Sequence, residues 1–395
     1  MAKHKAKIKE RQRQAWQQER GKKKVIRHNT AANQEKHRAD WLPLQANELG
    51  VIADRRIMPR DELSRRHMVE HLAATTLDAG FDDSRWDEIA AESSFSLGVV
   101  VEVGRGLCRV IVGEETLIGD IRGSLIAEGS GFTNVVAVGD RVLVSLLEEG
   151  HGLVEEVLPR RSGLARPDPF YRHLKQLIAA NVDQLLIVAA WRQPHIWLGL
   201  IDEYLIAAAR NNLAAVICIN KVDLARDEDE CRALVQAYGD LGYDLLFTSA
   251  VTGAGVAELR QTLQGKTTVL AGLSGVGKSS LLSAVEPGLA LRARTVSEKS
   301  GEGRHTTTQA NMWPLTAGGY VVDTPGIREL GLSGLRQADL VEFYPEIANA
   351  AAACRFRDCT HSHEPGCAVK QAITDGTVAV WRYENYVRIY GELPA

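Results

Sequence analysis

No apolar run in these 395 residues approaches the roughly 18 needed to span a membrane; the longest, LLIVAAW and LAAVICI, are strand-sized. The charged start is not followed by an apolar segment, so it does not read as a secretory signal. Cysteine is scarce at six residues, too few in so long a chain for a disulfide framework, and three of the six crowd into 354–367. That crowding points to a metal. Internal repeats and low-complexity blocks are absent. These absences exclude membrane, fibrous and disulfide-stapled classes and predict a cytoplasmic globular protein.

What is present suffices for packed cores: 45% of residues are hydrophobic, and the length suggests two to three domains. The net charge of −3 hides an asymmetry. Residues 1–40 carry thirteen Lys and Arg against Glu10, Glu19, Glu35 and Asp40, leaving an acidic remainder. With almost no apolar residues, this arm cannot bury a core and is predicted to be disordered until bound. A basic tail on an acidic body suits a polyanionic partner such as nucleic acid, the alternative being a solvated tail with none. Residues 41–94 form an extension to which no role can be assigned, although DELSRRHMVEHLAATTLDAG reads as a capped helix ending at Gly80.

Over 95–160 short Val/Ile/Leu runs alternate with glycines (LGVVVEVGRGLCRVIV, ETLIGDI, VAVGDRVLVSLL, GLVEEVLPR), the texture of a small closed β-barrel. An OB-fold that binds RNA or DNA is one reading; a barrel serving as a spacer is the other. Between 165 and 335 apolar strands alternate with helical segments, which predicts a mostly parallel sheet with helices on both faces and ligands at the carboxyl ends of its strands. Residues 336–395 are helix-rich around a cysteine loop.

GLSGVGKS, from Gly272 to Ser279, fits the phosphate-loop pattern and lies between the strand TTVLA and the helix SSLLSAV. Its backbone N–H groups, those of Gly272, Leu273, Ser274, Gly275, Val276, Gly277, Lys278, Ser279 and Ser280, can converge on phosphates. Lys278 would reach the β- and γ-phosphates and the Ser279 hydroxyl would coordinate Mg²⁺. VVDTPG adds a strand ending in Asp323, placed to hold Mg²⁺ through water, with the Gly326 backbone near the γ-phosphate. GEGRHTTTQ offers threonines for a switch segment; Thr307 is taken as the metal contact, with Thr306 and Thr308 as alternatives.

NKVD, Asn220 to Asp223 with Val222 between, closes the strand AAVICI. The Asp223 carboxylate can accept two hydrogen bonds from the edge of guanine that adenine lacks, and an unpaired acceptor there would penalise ATP. Asn220 would brace the neighbouring loops, Lys221 would flank the base, and in TSA, Ser249 precedes Ala250, whose N–H faces guanine O6. The predicted nucleotides are GTP and GDP.

These base-reading residues precede the phosphate loop, whereas an ordinary GTPase has the loop first. The domain is therefore circularly permuted, a change tolerated when the original termini lie close together on the surface. The segment after DTPG then runs directly into the cysteine-rich region. Ile327 stands where many GTPases carry a water-orienting glutamine, so intrinsic turnover should be slow. His305 and Lys278 are the catalytic candidates; His305 could position water or could instead contact phosphate or RNA.

CRFRDCTHSHEPGC supplies Cys354, Cys359, His361 and Cys367, a set suited to one tetrahedral, structural Zn²⁺, with His363 the alternative fourth ligand and free thiols the alternative to metal.

Together NKVD, TSA, GLSGVGKSS, GRHTTT, DTPGIREL and CRFRDCTHSHEPGCAV resemble, over about 95–395, the circularly permuted small ribosomal subunit biogenesis GTPases, the RsgA or YjeQ family. The resemblance implies a multidomain α/β chain: an N-terminal OB-fold β-barrel, a circularly permuted P-loop GTPase domain and a C-terminal helical zinc-binding domain. It implies docking on the 30S subunit and its 16S rRNA late in maturation, hydrolysis stimulated by 30S, and release afterwards, with His305 matching the family's proposed catalytic histidine. A monomer is expected. Two rival classes are a GTP-dependent RNA-binding switch or scaffold with incidental turnover, and a GTP-driven metallochaperone, which would need exchangeable metal.

Overall fold

In the computed structural model, residues 95–394 are described except 105, 122–133, 148–149, 168–174, 290–309, 324–331 and 333. The expectations for the arm at 1–40, the extension at 41–94, His305, Thr306, Thr307, Thr308, Gly326 and Ile327 lie outside the described residues.

Five strands, β1 (Ser96–Val103), β2 (Leu107–Val112), β3 (Glu115–Ile121), β4 (Arg141–Leu146) and β5 (His151–Val157), are ordered β1-β2-β3-β5-β4, and β4 returns to pair with β1. The ring is closed. Alternate side chains fill its interior: Val100, Cys108, Val110, Leu117, Val142, Val144 and Val154 form one buried cluster. Period-two patterning with one buried face requires this register, and closure removes the exposed edges that five short strands would otherwise present. The result is an OB-like barrel.

A hairpin of β6 (Gly163–Pro167) and β7 (Lys175–Ala180) follows. Next comes the nucleotide-type sheet: β8 (Gln184–Ala190), β9 (Ala214–Asn220), β10 (Asp244–Thr248), β11 (Thr267–Ala271), β12 (Asn311–Pro314) and β13 (Tyr320–Asp323), in the order β10-β9-β8-β11-β13-β12. Its neighbours are parallel except β12, which runs antiparallel to β13. Every residue of β8 is buried, as a strand covered on both faces must be. Leu185, Ile187 and Ala189 pack with helices α1 (Leu198–Arg210) and α2 (Glu228–Asp240), whereas Leu186, Val188 and Ala190 pack with α3 (Val256–Leu263) and α4 (Lys278–Val285). The helices meet the sheet through apolar residues spaced three or four apart, such as Val256, Leu259 and Leu263 of α3.

The hairpin and β12 were not among the strands expected from sequence. Strand β12 also pairs with β1 at Glu102 and Asn311, so barrel and sheet are hydrogen-bonded into one eleven-stranded array. Periodicity identifies strands but not their partners across two hundred residues.

The C-terminal region contains a 3₁₀ turn (Gln337–Phe343), α5 (Pro345–Ala351), α6 (Ala368–Thr374) and α7 (Val380–Glu392). Leu340, Tyr344, Ile347, Val369, Tyr386 and Ile389 make its core, which Ile206 of α1 completes. Helix α1 thus lies between two cores, and Gly199 to Ala208 are all buried. No helix among the described residues is long and apolar enough to cross a membrane.

Candidate functional site

The parallel register aligns the carboxyl ends of the strands, placing Ala190 beside Asn220, Asn220 beside Thr248, and Leu270 beside Asp323. All the strand-end motifs therefore fall along one edge. Between β11 and α4, the loop Gly272–Gly277 turns with positive φ at Gly272 (143°), Gly275 (81°) and Gly277 (96°). A Cβ at Gly272 would collide with the Val188 carbonyl and one at Gly277 with Asn220 Nδ2, so this path needs glycine for space as well as for φ. Val276 is buried in the α3–α4 core and Leu273 packs beside it, so these two anchor the loop with their side chains and can offer a ligand only backbone. Ser274, Gly275, Ser279 and Ser280 are exposed, and α4 opens at Lys278.

Lys278 Nζ donates to the carbonyls of Gly272 (2.8 Å) and Leu273 (3.0 Å), folding over its own loop. Burial lowers its pKa, opposed by Asp323; burial raises the Asp323 carboxyl, opposed by Lys278. Each charge is desolvated at the strand end and steadied by the other.

At the neighbouring corner, buried Asn220 donates from Nδ2 to the Val276 carbonyl (2.8 Å) and accepts from Thr248 Oγ1 (3.3 Å). Lys221, at φ 63°, donates from Nζ to the carbonyls of Gly275 (2.7 Å) and Gln193. Both side chains tie the base corner to the phosphate loop. Asp223 lies in a single 3₁₀ turn, Val222–Leu224, with Val222 buried beneath it. Ser249 Oγ donates to Asp223 Oδ1 at 2.5 Å and accepts from the N–H groups of Val251 (3.3 Å) and Thr252 (3.1 Å). Asp223 is exposed, and its Oδ2 has no partner among the described residues. Ser249 is thus a brace that aims the carboxylate, and Ala250 follows it at the rim. Thr248 and Gln193 were not singled out by the sequence, since one is a strand residue and the other contributes only its carbonyl.

The ligand atoms of Cys354, Cys359, His361 and Cys367 all lie within 4.8 Å of one another. Cys354 Sγ to Cys367 Sγ is 3.9 Å, and His361 Nδ1 lies 3.6 and 3.5 Å from these two sulfurs. A tetrahedron with Zn–S of about 2.3 Å and Zn–N of about 2.0 Å has S···S edges near 3.8 Å and S···N edges near 3.5 Å. The donor set fits zinc. His363 instead faces solvent, its Nδ1 3.0 Å from Ser362 Oγ. The thiols divide: burial pushes Cys359 up to about 12, whereas for Cys354 the effect of burial is outweighed by the N–H groups of Ala368 and Val369 and by the other thiols, which hold it low. Converging thiols ionise together only beside a cation. Tyr383 of α7 donates its hydroxyl to the His361 carbonyl (2.7 Å), holding that residue at φ 63°.

A buried ionic cluster joins this region to α1. Asp202 accepts from Arg382 Nη1 (2.5 Å), Tyr238 Oη (2.7 Å), Asn385 Nδ2 (2.7 Å) and Tyr344 Oη (3.4 Å). Arg382 Nε also holds Glu346 (2.6 Å), and Arg388 holds Glu203 (2.8 Å). Asp202 and Arg382 are 1% and 2% exposed, so neither charge could persist without the other. No local pattern signals this pairing, which spans 180 residues.

Fold and strand-end geometry define the class, a P-loop GTPase with its base-reading elements N-terminal to its phosphate loop. The RsgA GTPase family profile matches residues 157–333. A small ribosomal subunit biogenesis GTPase RsgA of Thermotoga maritima is 43% identical over 260 residues, covering 65% of this chain and 84% of that protein. The one of Gemmatimonas aurantiaca is 40% identical over 300 residues, covering 75% and 97%. Among solved structures, YjeQ from Thermotoga maritima aligns with TM-score 0.61 at 36% identity, covering 76% of this chain and 98% of that one. YloQ, a circularly permuted GTPase, aligns with TM-score 0.56 at 31% identity, covering 76% and 95%. This chain belongs to the RsgA GTPase family and is a GTP-hydrolysing enzyme.

Proposed function

We propose that this GTPase acts in late maturation of the small ribosomal subunit, binding the 30S particle and its 16S rRNA in the GTP state and leaving after hydrolysis that the particle stimulates. What supports the reading is one edge on which an aimed carboxylate, a glycine-shaped phosphate loop and a Lys278–Asp323 pair lie side by side, in a chain whose relatives carry that function in their names. Asp223 selects guanine, Asn220, Lys221 and Ser249 hold the corner, the loop N–H groups and Lys278 bind phosphate, and Ser279, Thr307 and Asp323 hold Mg²⁺. Bound Mg²⁺ would neutralise charge developing on the phosphates. His305 orients the attacking water, and Gly326 meets the γ-phosphate. Cys354, Cys359, His361 and Cys367 hold one structural zinc, which ties the loop to α6. The protein works as a cytoplasmic monomer.

Hydrolysis by the purified protein should rise strongly with added 30S subunits and not with 50S subunits. Equal rates with both, or no stimulation, would refute the assignment of partner. Ile327, in place of a water-orienting glutamine, favours a second reading in which GTP acts as a binding switch and turnover is incidental. Subunit maturation that survives Lys278→Ala would support that alternative.

A further inference from the structure

Within the cysteine loop, Arg355, Phe356 and Arg357 are all exposed, Phe356 by 42%. Scattered exposed apolar residues are ordinary. This one differs in its setting. The other arginines of the C-terminal region whose contacts are resolved, Arg336, Arg382 and Arg388, each hold a carboxylate. Arg355 and Arg357 hold none among the described residues; Arg355 lies over the Phe356 ring at 5.5 Å, and Arg357 makes no contact of this kind. The backbone of the triplet is also constrained at both ends. Cys354 and Cys359 flank it with thiols drawn into one cluster, and Cys359 N–H closes a turn onto the Phe356 carbonyl at 3.3 Å. The turn fixes the backbone that carries the ring, so that backbone loses little further freedom on meeting a flat partner. Asp358 sits in the same turn and offsets one positive charge, leaving the tip cationic.

We infer that Arg355, Phe356 and Arg357 form a contact for single-stranded RNA, in which an unpaired base stacks on Phe356 while the two guanidinium groups take the phosphates on either side. A single strand is favoured over a duplex because bases in a helix are already stacked and offer no free face, whereas loops and ends do. This deepens the proposed function by naming the surface that would meet rRNA, and rests on it only for the source of the RNA.

The test uses the full chain loaded with zinc and a fluorescently labelled, unstructured RNA oligonucleotide. Phe356→Ala should weaken binding by about tenfold or more, as loss of one base–aromatic stack does, while Phe356→Trp should keep or tighten it. Arg355→Ala and Arg357→Ala should each lower the salt slope by about 0.7. Zinc content, measured alongside, should stay at one per chain in every variant. Unchanged oligonucleotide affinity in Phe356→Ala would overturn the inference. If that variant binds RNA normally yet loses stimulation by 30S subunits, the patch meets ribosomal protein and the RNA assignment is wrong. Because oligonucleotide binding is read without subunits, absence of 30S stimulation in the unaltered protein would count against the proposed function alone.

Discussion

The nucleotide edge and the cysteine region solve the same problem, holding side chains still at a surface, by different means. At the nucleotide edge the parallel sheet does the positioning. Asn220, Thr248 and Asp323 are the last residues of strands, and their places follow from backbone register and from cores on both faces. In the C-terminal region no sheet is available; three helices of thirteen residues or fewer enclose a small core, and placement depends on four converging ligand atoms and on an ionic cluster shared with α1. A site built on strand ends keeps its frame when any one contact is lost, whereas one built on ligands and buried charges should fail as a unit.

The largest effect should come from removing metal. Strong chelation, or Cys359→Ser, should unfold the C-terminal region while the GTPase sheet persists, because binding energy on the order of 10 kcal/mol is folding energy in such clusters. Limited proteolysis would then cut after residue 335 and leave the sheet intact; uniform resistance would mean the region stands without metal.

Breaking the ionic cluster comes next. Arg382→Met leaves Asp202 and Glu346 buried without a counter-charge and should cost about 3–5 kcal/mol in urea unfolding. Adding Asp202→Leu should recover much of that loss, since replacing a buried pair by apolar residues is often neutral. Additive losses in the double variant would show that packing, not charge, sets the cost.

Changes at the nucleotide edge should leave stability nearly untouched and act on chemistry. Lys278→Ala should lower GTP hydrolysis by about a hundredfold or more, with an unaltered unfolding midpoint, because it removes one preorganised charge from the phosphates. The smallest effect is selectivity: Asp223→Asn should erode the preference for GTP over ATP by about tenfold to a hundredfold, the worth of a hydrogen bond to a charged group. Ser249→Ala, which removes the 2.5 Å brace, should lose part of the same discrimination. If the brace variant discriminates as the unaltered protein does, Asp223 is aimed by its turn alone.

Much of the nucleotide edge was legible because its motifs are local. GLSGVGKS, NKVD, TSA and DTPG each lie within a few residues, and alternating strands and helices imply a parallel sheet that brings strand ends together. The cysteine spacing, with His361 preferred to His363, was legible for the same reason, and the structure adds the φ of 63° and the anchoring by Tyr383 that hold His361 in the cluster. Asp202 was not legible. In LIDEYLIAAAR it reads as a polar residue of an amphipathic helix, and nothing nearby shows that α7, 180 residues later, covers that face.

The sequence by itself determined the order of the elements, the permuted topology, the family and the cysteine and histidine cluster, because these are written in short-range spacing and hydrophobic period. Only the tertiary structure decided that β12 joins the barrel to the sheet, that Ser249 aims Asp223, and that Arg382 and Asp202 neutralise each other between two cores. Those contacts depend on which distant surfaces exclude water together, a property of the packed chain that no local pattern records.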